Sequence, residues 1–240
     1  MEGNSYAPAS KGGFLMSSFV LVHGGWHGGW TFSGIARILR THGHEVYAPT
    51  LTGNGERSHL RSSTVNLDTH ILDVENLIRW QDIDDVILCG HSYGGMVITG
   101  VADRIPERIA ALVYIDAYVP DDGDSCWTLT TDAFRSIFIE QIAADGFSCE
   151  PPGHLIHKDS RFTAQSFASL SQRIRLSGKA QSVVRRGYAF AGRFDGTPFA
   201  STYDRCKADP QWMVRMFPCG HNIMAAMPQE LTQFLLEFSK

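Results

Sequence analysis

The chain has few cysteines and no run of basic residues. Its five cysteines, at positions 89, 126, 149, 206 and 219, never form the C-x-x-C spacing of a zinc knuckle or a redox motif, and their odd number argues against a full disulfide framework. The 21 lysines and arginines are dispersed among 25 acidic residues, and a net charge of −4 argues against a surface for nucleic-acid phosphates. We therefore expect no metal site, no nucleic-acid partner and a reducing, cytoplasmic setting.

Long hydrophobic runs are also missing. Residues 14–22 are apolar but number only nine and are interrupted by Ser17 and Ser18, whereas a transmembrane helix needs about 20 residues. Because this run leads directly into a histidine- and glycine-rich motif, we expect neither a cleaved signal nor a membrane partner. Residues 1–17 are rich in Gly, Ser, Ala and Pro, which predicts a flexible N-terminal tail.

Strand and helix patterns alternate along the rest of the chain. Apolar runs predict strands at 18–23, 45–49, 85–89, 110–115, 186–191 and 212–217, and helical spacing predicts helices at 32–40, 67–80, 96–102 and 228–238. This alternation predicts an α/β fold, in which helices cover both faces of a mostly parallel sheet. The core would comprise 18–120 and 186–240. Residues 121–185 do not continue this alternation of strands and helices. They are interpreted as a small cap insertion, with helices at 133–144 and 161–177.

The strongest chemical signal is Gly90-His91-Ser92-Tyr93-Gly94, which matches G-x-S-x-G between a predicted strand and a predicted helix. A tight turn in this context holds the serine in a strained conformation and leaves its hydroxyl accessible in a cleft, and glycines at 90 and 94 prevent collisions with neighbouring segments. The pattern therefore predicts that Ser92 is a nucleophile.

A serine hydroxyl needs a base to remove its proton and N–H donors to hold the oxyanion that forms. Of the ten histidines, His221 lies just beyond the last predicted strand, where this kind of fold carries its base. His91 lies inside the turn and is expected to pack rather than react. The backbone N–H of Tyr93, directly after the nucleophile, and that of Gly25, in the loop after the first strand, are the predicted oxyanion donors.

These motifs together resemble the α/β-hydrolase superfamily. The segments that carry the resemblance are His23-Gly-Gly-Trp-His-Gly-Gly-Trp30, Gly55-Glu-Arg-Ser-His-Leu60, Gly90-His-Ser-Tyr-Gly-Gly95, Tyr114-Ile-Asp-Ala117 and Gly220-His221. The sequence looks most like bacterial esterases related to pyrethroid-ester hydrolases, and less like plant methylesterases and hydroxynitrile lyases. The resemblance implies the α/β-hydrolase fold and a serine esterase without a cofactor. It gives the Gly55–Leu60 segment no chemistry; an ion pair between Glu56 and Arg57 is the simplest interpretation.

The triad acid has two candidates. Many members of the superfamily carry it after the strand equivalent to 186–191, and Asp195 lies near that place, although the plant methylesterase pattern would put the acid at Phe194. Other members carry it after the preceding strand, where this chain has Asp116. A carboxylate at the end of an apolar strand needs a compensating partner, which an imidazolium supplies. The need for such a partner favours Asp116 over Asp195, and both residues remain candidates.

The sequence therefore predicts a serine esterase that acts on small, partly hydrophobic carboxylic esters through an acyl-enzyme. Two other enzyme activities use the same triad, those of a hydroxynitrile lyase and of a carbon–carbon bond hydrolase, because a fold does not dictate a reaction. A non-catalytic ligand receptor is less favoured, since it need not keep a nucleophile, a base and an oxyanion loop. The oligomeric state is left open, and a homodimer is compatible with the sequence.

Overall fold

The computed structural model describes residues 16–157 and 159–239, without the side chain of His154. Residues 1–15 of the predicted tail lie outside the described part of the chain. The strands, in chain order, are β1 (Ser18–Val22), β2 (Glu45–Tyr47), β3 (Val86–His91), β4 (Ile109–Ile115), β5 (Ser148–Cys149), β6 (Gln165–Ser166), β7 (Arg186–Ala191) and β8 (Trp212–Phe217).

Six of these strands form one parallel sheet in the order β2-β1-β3-β4-β7-β8, and β5 and β6 form a separate antiparallel ribbon. The α-helices are α1 (Ser33–Thr41), α2 (Leu67–Trp80), α3 (Gly94–Arg104), α4 (Cys126–Leu129), α5 (Asp132–Glu140), α6 (Gly153–Ile156), α7 (Phe167–Ser171), α8 (Ala200–Ala208), α9 (Ile223–Ala226) and α10 (Pro228–Leu236). Single 3-10 turns cover Gly29–Phe32, Gly55–Leu60, Pro106–Arg108 and Lys179–Ser182.

The central strands of the sheet, β1, β3, β4 and β7, are buried on both faces, as their apolar sequences require. Alternate residues of β1 point to opposite sides: Val20 belongs to an apolar cluster with α2 and α3, whereas Leu21 belongs to one with α1 and α10. The predicted α/β architecture is therefore confirmed. Among the described residues, no helix combines the length and the hydropathy needed to cross a bilayer.

The 121–185 segment, which we name the cap segment, contributes no strand to the main sheet. The predicted helix at 161–177 is wrong: only α7 is helical there, and the residues just before it form β6. Local periodicity suggested a helix, but pairing of Gln165 with Cys149 in the ribbon overrides it. The predicted helix at 133–144 corresponds to α5, which begins one residue earlier and ends four residues earlier, whereas α8 was not predicted.

Candidate active site

Ser92 lies in the turn between β3 and α3, with the strained backbone that the G-x-S-x-G pattern predicts. Its φ of 53° is in the left-handed region, which is costly for a residue with a β-carbon. Its N–H donates to the carbonyl of Ile115 (3.2 Å), and its own carbonyl accepts from the N–H of Tyr118 (3.3 Å). The residues at the end of β4 therefore hold the turn in this conformation.

Glycines let this turn approach its neighbours closely. A β-carbon at Gly90 would lie 2.6 Å from the carbonyl oxygen of Gly94, and one at Gly95 would lie 2.0 Å from that of Tyr118. Both distances are far below normal contact, so side chains at these positions would displace the turn. Ser92 itself is half-buried.

His221 and Asp116 meet at the carboxyl end of the sheet. The Nδ1–H of His221 donates to Oδ2 of Asp116 over 2.6 Å. Because a carboxylate only accepts, this bond puts the proton of a neutral imidazole on Nδ1 and leaves Nε2 as the basic nitrogen. The His221 side chain is 27% exposed, whereas that of Asp116 is fully buried.

The buried carboxylate of Asp116 is fully partnered. Its Oδ1 accepts the N–H of Ala191 at the end of β7 (3.1 Å). Its own N–H donates to the carbonyl of Ala189 (2.7 Å), and its φ of 43° is again left-handed. A buried charge is tolerated when hydrogen bonds and an opposite charge compensate it. Strand β7 therefore supplies the fixed donor and acceptor that orient this acid toward His221.

The alternative acid lies elsewhere. Asp195 is exposed, and among the described residues its side chain makes no hydrogen bond or ion pair. Its neighbour Phe194 instead stacks on the His221 ring, with centroids 4.8 Å apart, and Phe199 stacks on the same ring at 5.4 Å. The sequence analysis missed both phenylalanines, although Phe194 occupies the acid position of the plant pattern.

The loop after β1 is held by two histidines of its own motif. The Nδ1–H of His23 donates to the carbonyl of Gly24 (2.8 Å), and that of His27 donates to the carbonyl of Gly25 (2.6 Å). Burial lowers the pKa of His23 to about 3 and that of His27 to about 4, so both imidazoles are neutral above those values. Two peptide groups of the predicted oxyanion loop are therefore held by side chains of the same loop.

This loop lies directly against the nucleophile turn. A β-carbon at Gly24 would be 3.0 Å from the Ser92 β-carbon and 2.8 Å from Nδ1 of His91. Among the described residues, neither the Gly25 N–H nor the Tyr93 N–H donates a hydrogen bond. Both groups are therefore free to donate to a ligand.

His91 packs, as expected. Its ring lies 4.5 Å from that of His221, and its Nε2–H donates to the His221 carbonyl (3.1 Å). Burial lowers its pKa well below the ordinary range. It therefore links the nucleophile turn to the loop that carries His221.

The Gly55–Leu60 segment is a 3-10 turn on the core side of the cap segment. The N–H of Gly55 donates to Oγ1 of Thr163 (2.7 Å). Arg57 forms its ion pair with Asp73 (3.5 Å), so the expected pair with Glu56 is wrong. The segment joins the core to the cap segment rather than supplying reacting groups.

Comparisons with known proteins identify the family of this chain. The model of the "Alpha/beta hydrolase family" matches residues 19–234. A carbendazim hydrolyzing esterase from Nocardioides sp. (strain SG-4G) is 43% identical over 92% of this chain and 98% of its own length. An extracellular α/β-hydrolase from a Paenibacillus species superposes with a TM-score of 0.80 at 23% identity, covering 92% of this chain and 98% of that one.

A pyrethroid hydrolase from Sphingobium faniae JZ-2 gives a TM-score of 0.69 at 21% identity, covering 93% of this chain and 97% of that one. At such identities the two solved structures establish the fold alone. The family model and the esterase relative each extend over most of the chain, including the turn of Ser92 and the loop of His221. The chain belongs to the α/β-hydrolase family.

Proposed function

We propose that this protein is a serine esterase that hydrolyses small, partly hydrophobic carboxylic esters through an acyl-enzyme. The observation that carries the proposal is the 2.6 Å bond between His221 and Asp116, because it leaves Nε2 of His221 as the acceptor that a serine nucleophile requires. The strained conformation of Ser92 and the unpaired N–H groups of Gly25 and Tyr93 support the same reading.

In the proposed reaction, Oγ of Ser92 attacks the ester carbonyl carbon while Nε2 of His221 takes the hydroxyl proton. The N–H groups of Gly25 and Tyr93 stabilise the oxyanion, and Asp116 orients the imidazolium. The intermediate collapses, the carbon–oxygen bond to the alcohol breaks, and His221 protonates the departing alkoxide. Water then attacks the acyl group with His221 as base, which releases the acid and restores Ser92.

The aromatic cap segment supports a substrate with a flat apolar part. Trp127 contacts Phe167 edge to face, with centroids 5.9 Å apart, and Phe138 contacts Trp26 of the oxyanion loop at 5.9 Å. We propose that residues 121–185 form a substrate-binding cap over a core of 18–120 and 186–240. Carbendazim, an aromatic methyl carbamate, is the first such compound to test, because the 43% identical relative hydrolyses it.

The test is hydrolysis of p-nitrophenyl acetate, butyrate and octanoate by the wild type and by Ser92→Ala. We expect turnover by the wild type and at least a 1,000-fold loss in the variant, since the nucleophile is gone. Mass spectrometry after fluorophosphonate treatment should show one adduct on the wild type and none on the variant. Equal thermal unfolding of the two proteins serves as the control for folding. Full activity in Ser92→Ala would overturn the proposal.

The five cysteines are all free thiols, which supports a reducing, cytoplasmic setting.

Cyanohydrin cleavage without ester turnover would support the lyase alternative. Stoichiometric ligand binding without turnover would support a receptor.

A further inference from the structure

Among the described residues, the hydrogen bonds between the cap segment and the predicted oxyanion loop all involve Trp26. The indole Nε1–H donates to the carbonyl of Cys149 in β5 (3.0 Å). Its backbone carbonyl accepts from the N–H of Thr163 (3.0 Å), and its backbone N–H donates to Oε1 of Gln165 in β6 (3.0 Å). Trp26 has a left-handed φ of 62°, so these three bonds hold a strained conformation in the residue that follows the proposed donor Gly25.

Of the three partners, only Gln165 acts through its side chain. That side chain is buried, with 1% of the residue exposed. Its Nε2 donates to Oγ of Ser169 (2.8 Å), and Oγ of Ser169 donates to the carbonyl of Ser166 (2.6 Å). Because the Ser169 hydroxyl already donates its proton to Ser166, it can only accept from Gln165. The donor Nε2 must therefore face Ser169, and the acceptor Oε1 must face the Trp26 N–H. The orientation of the amide is therefore fixed by its own bonds.

Gln165 also bounds the position of Gly25. A β-carbon at Gly25 would lie 3.3 Å from Oε1 of Gln165. The peptide group that joins Gly25 to Trp26 is held at both ends, by Nδ1–H of His27 on its carbonyl and by Oε1 of Gln165 on its N–H. Rotation of this peptide would change the backbone angles at Gly25 and turn its neighbouring N–H away from the oxyanion.

The second proposed donor, the N–H of Tyr93, belongs to a residue whose side chain is held inside the core. The hydroxyl of Tyr93 bonds to Nδ1 of His70 (2.7 Å). Burial raises the pKa of Tyr93 well above its ordinary value. The side chain of Tyr93 is therefore held by α2, separately from Gln165.

We propose that Gln165 is a positioning residue for the oxyanion hole, acting through the Trp26 N–H on the orientation of the Gly25 N–H. The proposal rests on the serine-esterase function above. It makes the cap segment part of the transition-state machinery as well as a cover for the substrate. A contact of this kind affects the charged intermediate more than the bound ester, because only the intermediate needs the aligned donor.

The test compares Gln165→Leu with Ser148→Ala on a p-nitrophenyl ester. Ser148 lies in the same ribbon, is equally buried, and bonds to Arg61 rather than to the oxyanion loop (3.0 Å), so its variant controls for a loosened cap segment. A fluorophosphonate titrates the reactive serine, and kcat is expressed per titrated site. The affinity of a trifluoromethyl ketone, which adds to the serine and forms an oxyanion, is measured beside that of the methyl ketone of the same shape, which stays unreacted.

For Gln165→Leu we expect kcat per site to fall about 10-fold or more, less than the 100- to 1,000-fold typical of deleting a donor outright. KM and the methyl ketone affinity should stay within about two-fold, and the trifluoromethyl ketone affinity should fall by the same factor as kcat. Ser148→Ala should lower thermal stability only. Should Gln165→Leu fail to fold, Ser169→Ala, which removes the partner of Nε2 alone, should show the same selective loss to a smaller degree.

An unchanged kcat per site in Gln165→Leu, or equal losses for both ketones, would overturn this inference and leave the esterase proposal intact. A folded wild type that neither hydrolyses the ester nor reacts with the fluorophosphonate would overturn both.

Discussion

Two residues at the ends of neighbouring strands have backbone angles that side chains normally avoid. Ser92 follows β3 and Asp116 follows β4, and both have positive φ. Such conformations cost about 1–3 kcal/mol each and persist only where the surroundings enforce them. Here the surroundings are backbone bonds between adjacent strands, including that from Ser92 N–H to Ile115. The sheet thus holds the proposed nucleophile and the proposed acid in fixed relation.

The choice between the two acids makes a prediction at this scale. Asp116→Asn should lower kcat about 1,000- to 10,000-fold, because an amide can donate to Nδ1 of His221 and favour the wrong tautomer; the same change in serine proteases costs about 10,000-fold. Asp195→Asn, at an exposed position, should stay within about two-fold. Rates per titrated site on p-nitrophenyl butyrate give the comparison. Loss of activity in Asp195→Asn with a normal Asp116→Asn would reverse the assignment.

The sequence narrowed the acid to two residues and favoured Asp116, because a buried carboxylate needs a partner, but it could not establish the choice. Ser92 could be identified from the sequence because its motif is contiguous. His221 could be identified because it follows the last strand in chain order. The acid depends on which strand end reaches Nδ1, and that is set by the pairing of Ile115 with Ala189 across β4 and β7. Such register is a tertiary property that no local pattern contains. The catalytic roles of all three residues stay predictions.

At the scale of elements, the second residue of α3 and that of α1 are both glycine, in opposite surroundings. A β-carbon at Gly95 would meet the Tyr118 carbonyl oxygen at 2.0 Å, whereas one at Gly34 would meet nothing within 4 Å. Gly95→Ala should therefore destabilise the fold by about 1–3 kcal/mol or more through overpacking. Gly34→Ala should stabilise it by about 0.5–1 kcal/mol, since alanine loses less backbone entropy in a helix. Urea unfolding of both variants measures the difference; the same sign in both would contradict the packing argument.

Elements with strong local periodicity were predicted best. Helix α2 matches its predicted bounds, and its first turn is closed by a reciprocal bond between Asn66 and Thr69. Helix α8 was missed because only Cys206 of its nine residues is fully buried, so its sequence carries little periodic signal. The predicted helix at 161–177 failed for a different reason: buried polar groups such as Gln165 serve long-range contacts, which apolar periodicity does not report.

At the scale of the whole molecule, buried neutral histidines tie stability to pH. The folded pKa values of His23 and His27, about 3 and about 4, lie below the ordinary value of 6.5. Between those values and pH 6.5 the unfolded chain binds protons that the folded chain does not. The contribution of these histidines to the free energy of unfolding is therefore fully present above about pH 6.5. It is lost on acidification, by about 1.4 kcal/mol per pH unit for each such histidine.

His27→Gln should accordingly make the free energy of unfolding less dependent on pH, by about 1.4 kcal/mol per unit between pH 6 and 4.5. Urea titrations of the wild type and the variant at four pH values in this range give both slopes. Stability, not activity, is the readout, because His27 also holds the oxyanion loop. Equal slopes in the two proteins would show that His27 is not protonated on unfolding in this range.

Because the proposed acid follows β4, the loops around His221 have separate roles. On the proposed assignment, the loop between β7 and α8 contributes no proton-transfer group; it contributes the aromatic faces of Phe194 and Phe199 beside His221. Its other positions, such as Arg193, Asp195 and Gly196, are exposed. Substitutions at Arg193 and Asp195 should therefore leave the proposed proton-transfer residues, which other loops carry, in place.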